Sequence, residues 1–293
     1  MSFDPEAHRD ASLEGWEAAA PGWVRRQEQI RNWSAPVSQW MVQAADPQPG
    51  ERVLELAAGV GETGLLAAEL VAPMGTTIIS DQAEAMLDGA RERAAELGVA
   101  NVEFKVLNAE WIDLPLAAID IILCRWGFML MADPGAALGE CRRVLRPGGR
   151  LALAIWDTIQ ANPWALLPSV ELNERGLGPA PPVPAGPAQP GTAVQPGPFA
   201  LGDAEIVRGM VEDAGFTEIA VEGVELLQRH ASFEALWESQ LDISRNFHDA
   251  VLSRPEAEIE EIRTSLQRRF EPFTLPSGEL EIPGRTLVAL AGA

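Results

Sequence analysis

The chain has no tyrosine, a single lysine (Lys105), two cysteines and three histidines among its 293 residues. Each shortage removes a class of chemistry. Without tyrosine no phenol can serve as acid or base, and with one lysine the Ser/Tyr/Lys hydride site of the common nicotinamide dehydrogenases cannot be assembled. Cys124 and Cys141 fall in a predicted core strand and a predicted helix. They are too few for a disulfide framework and lack metal-ligand spacing, so buried thiols and a cytoplasmic setting are expected. No apolar run approaches the roughly eighteen residues of a membrane-spanning helix. The opening Met-Ser-Phe-Asp-Pro-Glu is polar and acidic, unlike a secretory leader. Basic residues are scarce as well: 22 Lys and Arg stand against 43 Asp and Glu, a net charge of −21. Such a field repels phosphate backbones, which argues against nucleic acid as a partner and for a small molecule.

What the chain does have is concentrated between Val53 and Gly64, Val-Leu-Glu-Leu-Ala-Ala-Gly-Val-Gly-Glu-Thr-Gly. An apolar run ends in Glu55, small residues follow at Ala57, Ala58, Gly59 and Gly61, and helical spacing starts at Glu62. Strand, tight turn and helix are the reading. Glycine admits a ligand close to the backbone, and the helix N-terminus offers unpaired N–H groups to it. Gly59-x-Gly61-x-x-Gly64 also fits the dinucleotide fingerprint, a weak match by itself.

Further apolar runs follow at the spacing of an α/β domain: Thr76–Ser80 ending in Asp81, Val102–Leu107 ending in Asn108-Ala109-Glu110, Ile119–Cys124 followed by Arg125-Trp126-Gly127-Phe128, and Leu151–Trp156 after Arg146-Pro147-Gly148-Gly149. Helices are expected over Gln82–Leu97 and Leu138–Leu145. Together, residues from about Glu51 to Trp156 resemble the class I S-adenosylmethionine (SAM)-dependent methyltransferases, in particular the ubiquinone/menaquinone-biosynthesis type and its small-molecule relatives. The resemblance rests on acid-x-Gly-x-Gly-x-Gly, here Glu55-Leu-Ala57-Ala58-Gly59-Val-Gly61, and on the Leu-Arg-Pro-Gly-Gly turn. It implies SAM as cofactor, Asp81 with Gln82 at the ribose, and Asn108-Ala109-Glu110 at the adenine. Two departures stand out. Ala57 occupies the place of the first glycine, and Asn108 that of an acid whose role is to accept from the exocyclic amine; the amide oxygen of Asn108 can still accept.

The implied fold is α/β, a Rossmann-like seven-stranded sheet with its last strand antiparallel and with helical lid insertions. The segments divide accordingly. Residues 1–46, with Trp16, Trp23, Trp33 and Trp40, read as a cap of one or two helices interrupted at Pro36. Residues 47–157 form the SAM-binding core. Residues 158–202 hold a helix over Trp164–Leu177 and a Pro/Gly/Ala stretch from Gly176 to Pro198, too proline-rich for a helix or central strand. Residues 203–293 complete the sheet, with a helix at Asp203–Ala214, a sixth strand at Phe216–Leu227, a helical insertion over 232–270 and a final strand at Arg285–Ala291. The N-terminal segment, the Pro-rich stretch and the insertion are expected to roof one cavity above the carboxyl ends of the strands.

Methyl transfer from a sulfonium is an in-line displacement in which positioning supplies much of the rate. A general base is needed only for some acceptors. His8 lies on an acidic terminus expected to be mobile, His230 ends the sixth strand, and His248 in the insertion is the candidate base. Arg125 is placed with the cofactor's or acceptor's carboxylate. Trp33, Trp126, Phe128 and Met129 are placed in an apolar acceptor pocket. The end of the fourth strand, Cys124-Arg125, lacks the oxygen ligands a hard cation wants, so no metal is expected. Two other classes remain open at this point: a SAM-fold protein that binds without catalysis, and a nicotinamide-dependent oxidoreductase.

Overall fold

The computed structural model describes residues 3–178 and 195–293. Five apolar runs become parallel strands, β1 (Arg52–Glu55), β2 (Thr76–Asp81), β3 (Val102–Val106), β4 (Ile119–Arg125) and β5 (Leu145–Trp156). Two long strands, β6 (Thr217–His230) and β7 (Leu280–Gly292), complete the sheet antiparallel in the order β3-β2-β1-β4-β5-β7-β6. The last strand thus lies between the fifth and sixth, as expected. β1 and β4 are buried almost throughout because helices cover both faces of the sheet. The strand order reverses between β1 and β4, and in open α/β sheets the crevice outside the carboxyl ends at such a point is where ligands bind.

The helices are α1 (Pro5–Arg25), α2 (Gln27–Ala45), α3 (Glu62–Val71), α4 (Glu84–Leu97), α5 (Pro134–Val144), α6 (Pro163–Glu174), α7 (Ala204–Asp213), α8 (Phe233–Ile243), α9 (Arg245–Leu252) and α10 (Glu256–Phe270). Asp4 starts α1 by accepting the N–H groups of Glu6 and Ala7, with Pro5 at the first helical position. Several boundaries differ from the sequence reading; β5 begins at Leu145 and not Leu151, and α5 at Pro134 and not Leu138. Pro36 does not interrupt α2; it sits on the exposed face, where the carbonyl it frees at the exposed Asn32 can be hydrated, while Ile30, Val37 and Met41 bury the opposite face. The break falls at Arg26 instead. β7 begins at Leu280, five residues early, although it includes Pro283. At that end β7 pairs only with β6, since β5 joins at Thr286, so the missing proline N–H is no loss. The insertion is three helices, broken around Ser244 and at Arg254–Pro255.

One hydrophobic core fills the space between the sheet and its flanking helices. A second cluster, with Leu236, Trp237, Phe247, Ile262 and Phe270, holds α8, α9 and α10 against α6 and the start of β7. No helix among the described residues is long and apolar enough to cross a membrane.

Candidate functional site

At the carboxyl end of β1 the chain makes the turn that the small residues require. Ala57, Gly59 and Gly61 all take left-handed backbone angles, with φ of 50°, 54° and 79°. Ala57 therefore accepts, as an alanine, a conformation that disfavours a Cβ. Ala58 N–H donates to the Ser80 carbonyl, and Gly59 N–H donates to Asp81 Oδ2 at 2.8 Å. The other Asp81 oxygen accepts from Ala83 N–H at 3.0 Å, at the start of α4. Asp81 is 7% exposed, and burial raises its pKa against the pull of the Ala83, Gly59 and Gln82 N–H groups.

A cleft, partly open to solvent, extends from this turn across the ends of β2, β3 and β4. Ala57, Ala58, Gly59, Asp81, Gln82, Asn108, Ala109, Glu110, Arg125 and Trp126 all line it. Residues separated by up to 69 positions thus meet in one concavity, from Ala57 to Trp126. Glu55 and Gly61 lie behind the turn rather than on its surface. Glu55 is 2% exposed and its Oε2 has no hydrogen-bond partner among the described residues. Burial pushes its carboxyl up to about 8, against the charge of Arg125 and the N–H groups of Gly64 and Thr63.

Asn108 lines the cleft, and its amide oxygen accepts Glu110 N–H at 2.8 Å, which leaves that oxygen a second lone pair. Glu110 is likewise engaged: Oε2 receives Arg9 Nη2 at 2.6 Å and Nε at 3.0 Å, and Oε1 receives Ala132 N–H at 2.9 Å. Arg125 at the end of β4 is buried deeply enough to lower its pKa, with Glu55 and Glu62 opposing that effect. Its Nη1 has no hydrogen-bond partner among the described residues, and its guanidinium lies 4.8 Å from the centre of the Trp126 ring.

Trp126 also holds a left-handed angle, φ 60°, with its indole N–H donating to Thr286 Oγ1 at 2.9 Å. The next residue must be glycine, since a Cβ on Gly127 would lie 2.7 Å from both the Ala57 Cβ and the Cys124 sulfur. The indole stacks on Trp156 at 4.3 Å and on Trp33 at 5.2 Å; Trp164 follows Trp156 at 4.8 Å. Trp33 is therefore a backing ring and not a cleft wall.

Phe128 and Met129 are corrected more strongly. They are 0% and 2% exposed and belong to the core, because the 3-10 turn Phe128–Leu130 rotates them under the sheet and leaves Leu130 and Met131 at the cleft. His248 does not line the cleft either. It lies on α9, and its Nδ1 meets the Leu241 carbonyl at 3.1 Å within the insertion, so the geometry gives it no substrate to serve.

The residues missed from sequence lie on α1. His8, Arg9, Ser12, Trp16 and Trp23 cover the cleft. His8, read as part of a mobile terminus, is instead helical and bonds through Nε2 to the Leu130 carbonyl at 3.0 Å. Ser12 receives Gln82 Nε2, and Glu17 accepts the Glu84 and Ala85 N–H groups that open α4. The insertion does not reach the cleft; it braces α1 from behind, through Trp23 Nε1 to the Ile243 carbonyl and through Arg26 to Asp242. Of the Pro-rich stretch, residues 179–194 lie outside the described residues. Its far end packs beside the cleft wall, with Gly197 N–H on the Met129 carbonyl.

This arrangement has the Rossmann-like fold shared with methyltransferase structures: a glycine turn after β1, an acid ending β2 and a polar loop after β3 stand at the switch point of a sheet whose seventh strand is inserted antiparallel. Residues 47–180 match the methyltransferase domain family. An uncharacterised 37.1 kDa transposon protein of Streptomyces fradiae is 37% identical over 165 residues, covering 54% of this chain and 47% of its own. The ubiquinone/menaquinone biosynthesis C-methyltransferase UbiE of Xanthomonas campestris pv. campestris is 32% identical over 124 residues, 42% of this chain and 49% of its own. The chain spans about half the length of the curated relatives it matches. Among solved structures, a methyltransferase-like protein of Bacillus halodurans superposes with a TM-score of 0.53 at 18% identity, over 87% of this chain and 97% of that one. Residues 47–180 thus carry a methyltransferase domain, on a fold shared with methyltransferase structures.

Proposed function

We propose that the cleft binds SAM and that the chain transfers its methyl group, without a metal ion, to a small and largely apolar acceptor. One observation carries the reading: the turn at Gly59, the acid Asp81 and the loop Asn108–Glu110, far apart in sequence, line a single cleft with Arg125. The residues present fit such a cofactor. Asp81 can accept the ribose hydroxyls in addition to its two N–H groups, because each carboxylate oxygen has a second lone pair. Arg125 supplies a half-buried cation, its Nη1 without a partner among the described residues, for the methionyl carboxylate.

When bound, the sulfonium supplies an electrophilic methyl carbon; the protein's part is to orient and enclose it. The backbone of Ala57–Gly59 sets one wall, and Trp126 with Met131 sets an apolar one beside Arg125. Helix α1 excludes water from above. At the end of β4 the chain offers Cys124 and Arg125 instead of oxygen ligands, which supports a reaction without a hard cation. With His248 remote and His8 bonded to Leu130, acceptors that need no general base fit the site best.

Calorimetry with SAM, S-adenosylhomocysteine and NAD tests the reading. We expect the first two to bind and NAD not to. Binding of NAD alone would replace it with an oxidoreductase, and tight SAM binding without turnover on any quinone or phenol panel would favour a binding protein.

A further inference from the structure

β3 is the edge of the sheet, paired on one side only, with β2. The ladder shows which of its backbone groups are spare. Thr77 N–H donates to the Asn101 carbonyl and Leu107 N–H to the Asp81 carbonyl, so the odd-numbered residues of the strand turn their backbone toward β2. Val102, Phe104 and Val106 therefore aim their N–H and C=O groups outward, where they have no hydrogen-bond partner among the described residues. Such an edge is a template for another strand, and natural sheets often blunt it with lysine. The chain's single lysine, Lys105, stands here, but it has a counterpart. Val102-Glu103-Phe104-Lys105-Val106 reads the same in both directions, except that acid and base exchange places.

We propose that a second copy of this chain docks on β3, antiparallel and about a two-fold axis through Phe104, joining the two sheets into one. About that axis the outward-facing residues meet in register, Phe104 on Phe104 and Val102 on Val106. Glu103 then falls opposite Lys105 of the second copy, and the symmetry makes this pair twice. The nearest registers that keep the hydrogen bonds put Glu103 on Glu103 or Lys105 on Lys105, and like charges directly opposite each other are destabilising. Both side chains can reach across. Glu103 is exposed, with Arg52 Nη2 only at 3.9 Å. Lys105 bonds to the carbonyl and carboxylate of Asp113, which leaves one of its three donors. The same axis brings the end of β3 that carries Val106 and the 79% exposed Trp111 to the end where the exposed Leu97 closes α4, so apolar surface is available at both ends.

The test is light scattering on the full chain at about 0.15 M salt, where the like charge of the two copies is screened beyond about 8 Å. The native chain should have twice the monomer mass. Glu103→Lys and Lys105→Glu each set like charges opposite one another and should raise the dissociation constant at least about tenfold. An equimolar mixture of the two variants faces two lysines with two glutamates, and in it the dimer should return. A native chain that stays monomeric up to about 100 µM overturns the proposal. Variants that dimerise like the native chain place the contact on another face and also overturn it, and Glu103→Lys, at an exposed position, decides this by itself. Folded variants that stay monomeric when mixed overturn the register.

Discussion

A single carboxylate, Asp81, ties the glycine turn to the second strand: one oxygen holds Gly59 N–H and the other Ala83 N–H. Replacing it therefore acts twice. Asp81→Ala should weaken SAM binding by roughly 1.5–3 kcal/mol, the range for a hydrogen bond to a charged group. It should also lower the melting temperature by several degrees, because the buried N–H of Gly59 loses its acceptor. Unchanged affinity in calorimetry would remove Asp81 from the site, whatever the thermal result. Asp81 was legible in the sequence as the acid ending an apolar run. The second half of its role was not, because a hydrogen bond from position 59 to position 81 exists only once β1 and β2 are paired.

The same distinction governs whole elements. The central strands were legible as apolar runs and β3 and β6 by alternation, and the glycine turn because no larger residue fits it. Helix α1 was legible as helical spacing with tryptophans and as part of an expected roof, but not in the contacts it makes. Its function depends on partners about 100 residues away, Glu110 for Arg9 and Leu130 for His8, and such pairings leave no local pattern. Bound on one side to the cleft and on the other to α8, α1 is the element that a ligand must pass. Arg9→Ala should speed release of S-adenosylhomocysteine by several-fold in stopped-flow chase experiments. Its own contribution to stability should stay within about 1 kcal/mol, since the Arg9 side chain is 38% exposed. An unaltered release rate would show that α1 does not gate the cleft.

For the molecule as a whole, two buried groups with opposite signs shape the dependence of stability on pH. Glu55, raised from 4.5 to about 8 chiefly by burial, stays protonated in the fold while the unfolded chain ionises, so stability falls as pH rises through that window. His230, lowered from 6.5 to about 4 by burial and by the Arg26 charge, stays neutral while the unfolded chain protonates, so stability falls as pH drops. Between 4.5 and 6.5 the two slopes cancel. Between 6.5 and about 8 Glu55 acts without His230, at about 1.4 kcal/mol per pH unit. In urea titrations Glu55→Gln should flatten that alkaline limb and leave the behaviour below 4.5 unchanged; a limb that persists in the variant would assign it elsewhere. The row of indoles from Trp33 through Trp126 and Trp156 to Trp164 has a separate consequence at this scale. With no tyrosine in the chain, ultraviolet emission belongs to tryptophan alone. Rings 4.3–5.2 Å apart share their excited states, so light absorbed anywhere along the row is felt at Trp126. That ring carries the Arg125 charge on its face, and an anion arriving there shifts the colour of the whole row: the protein signals the occupancy of its cleft without a dye.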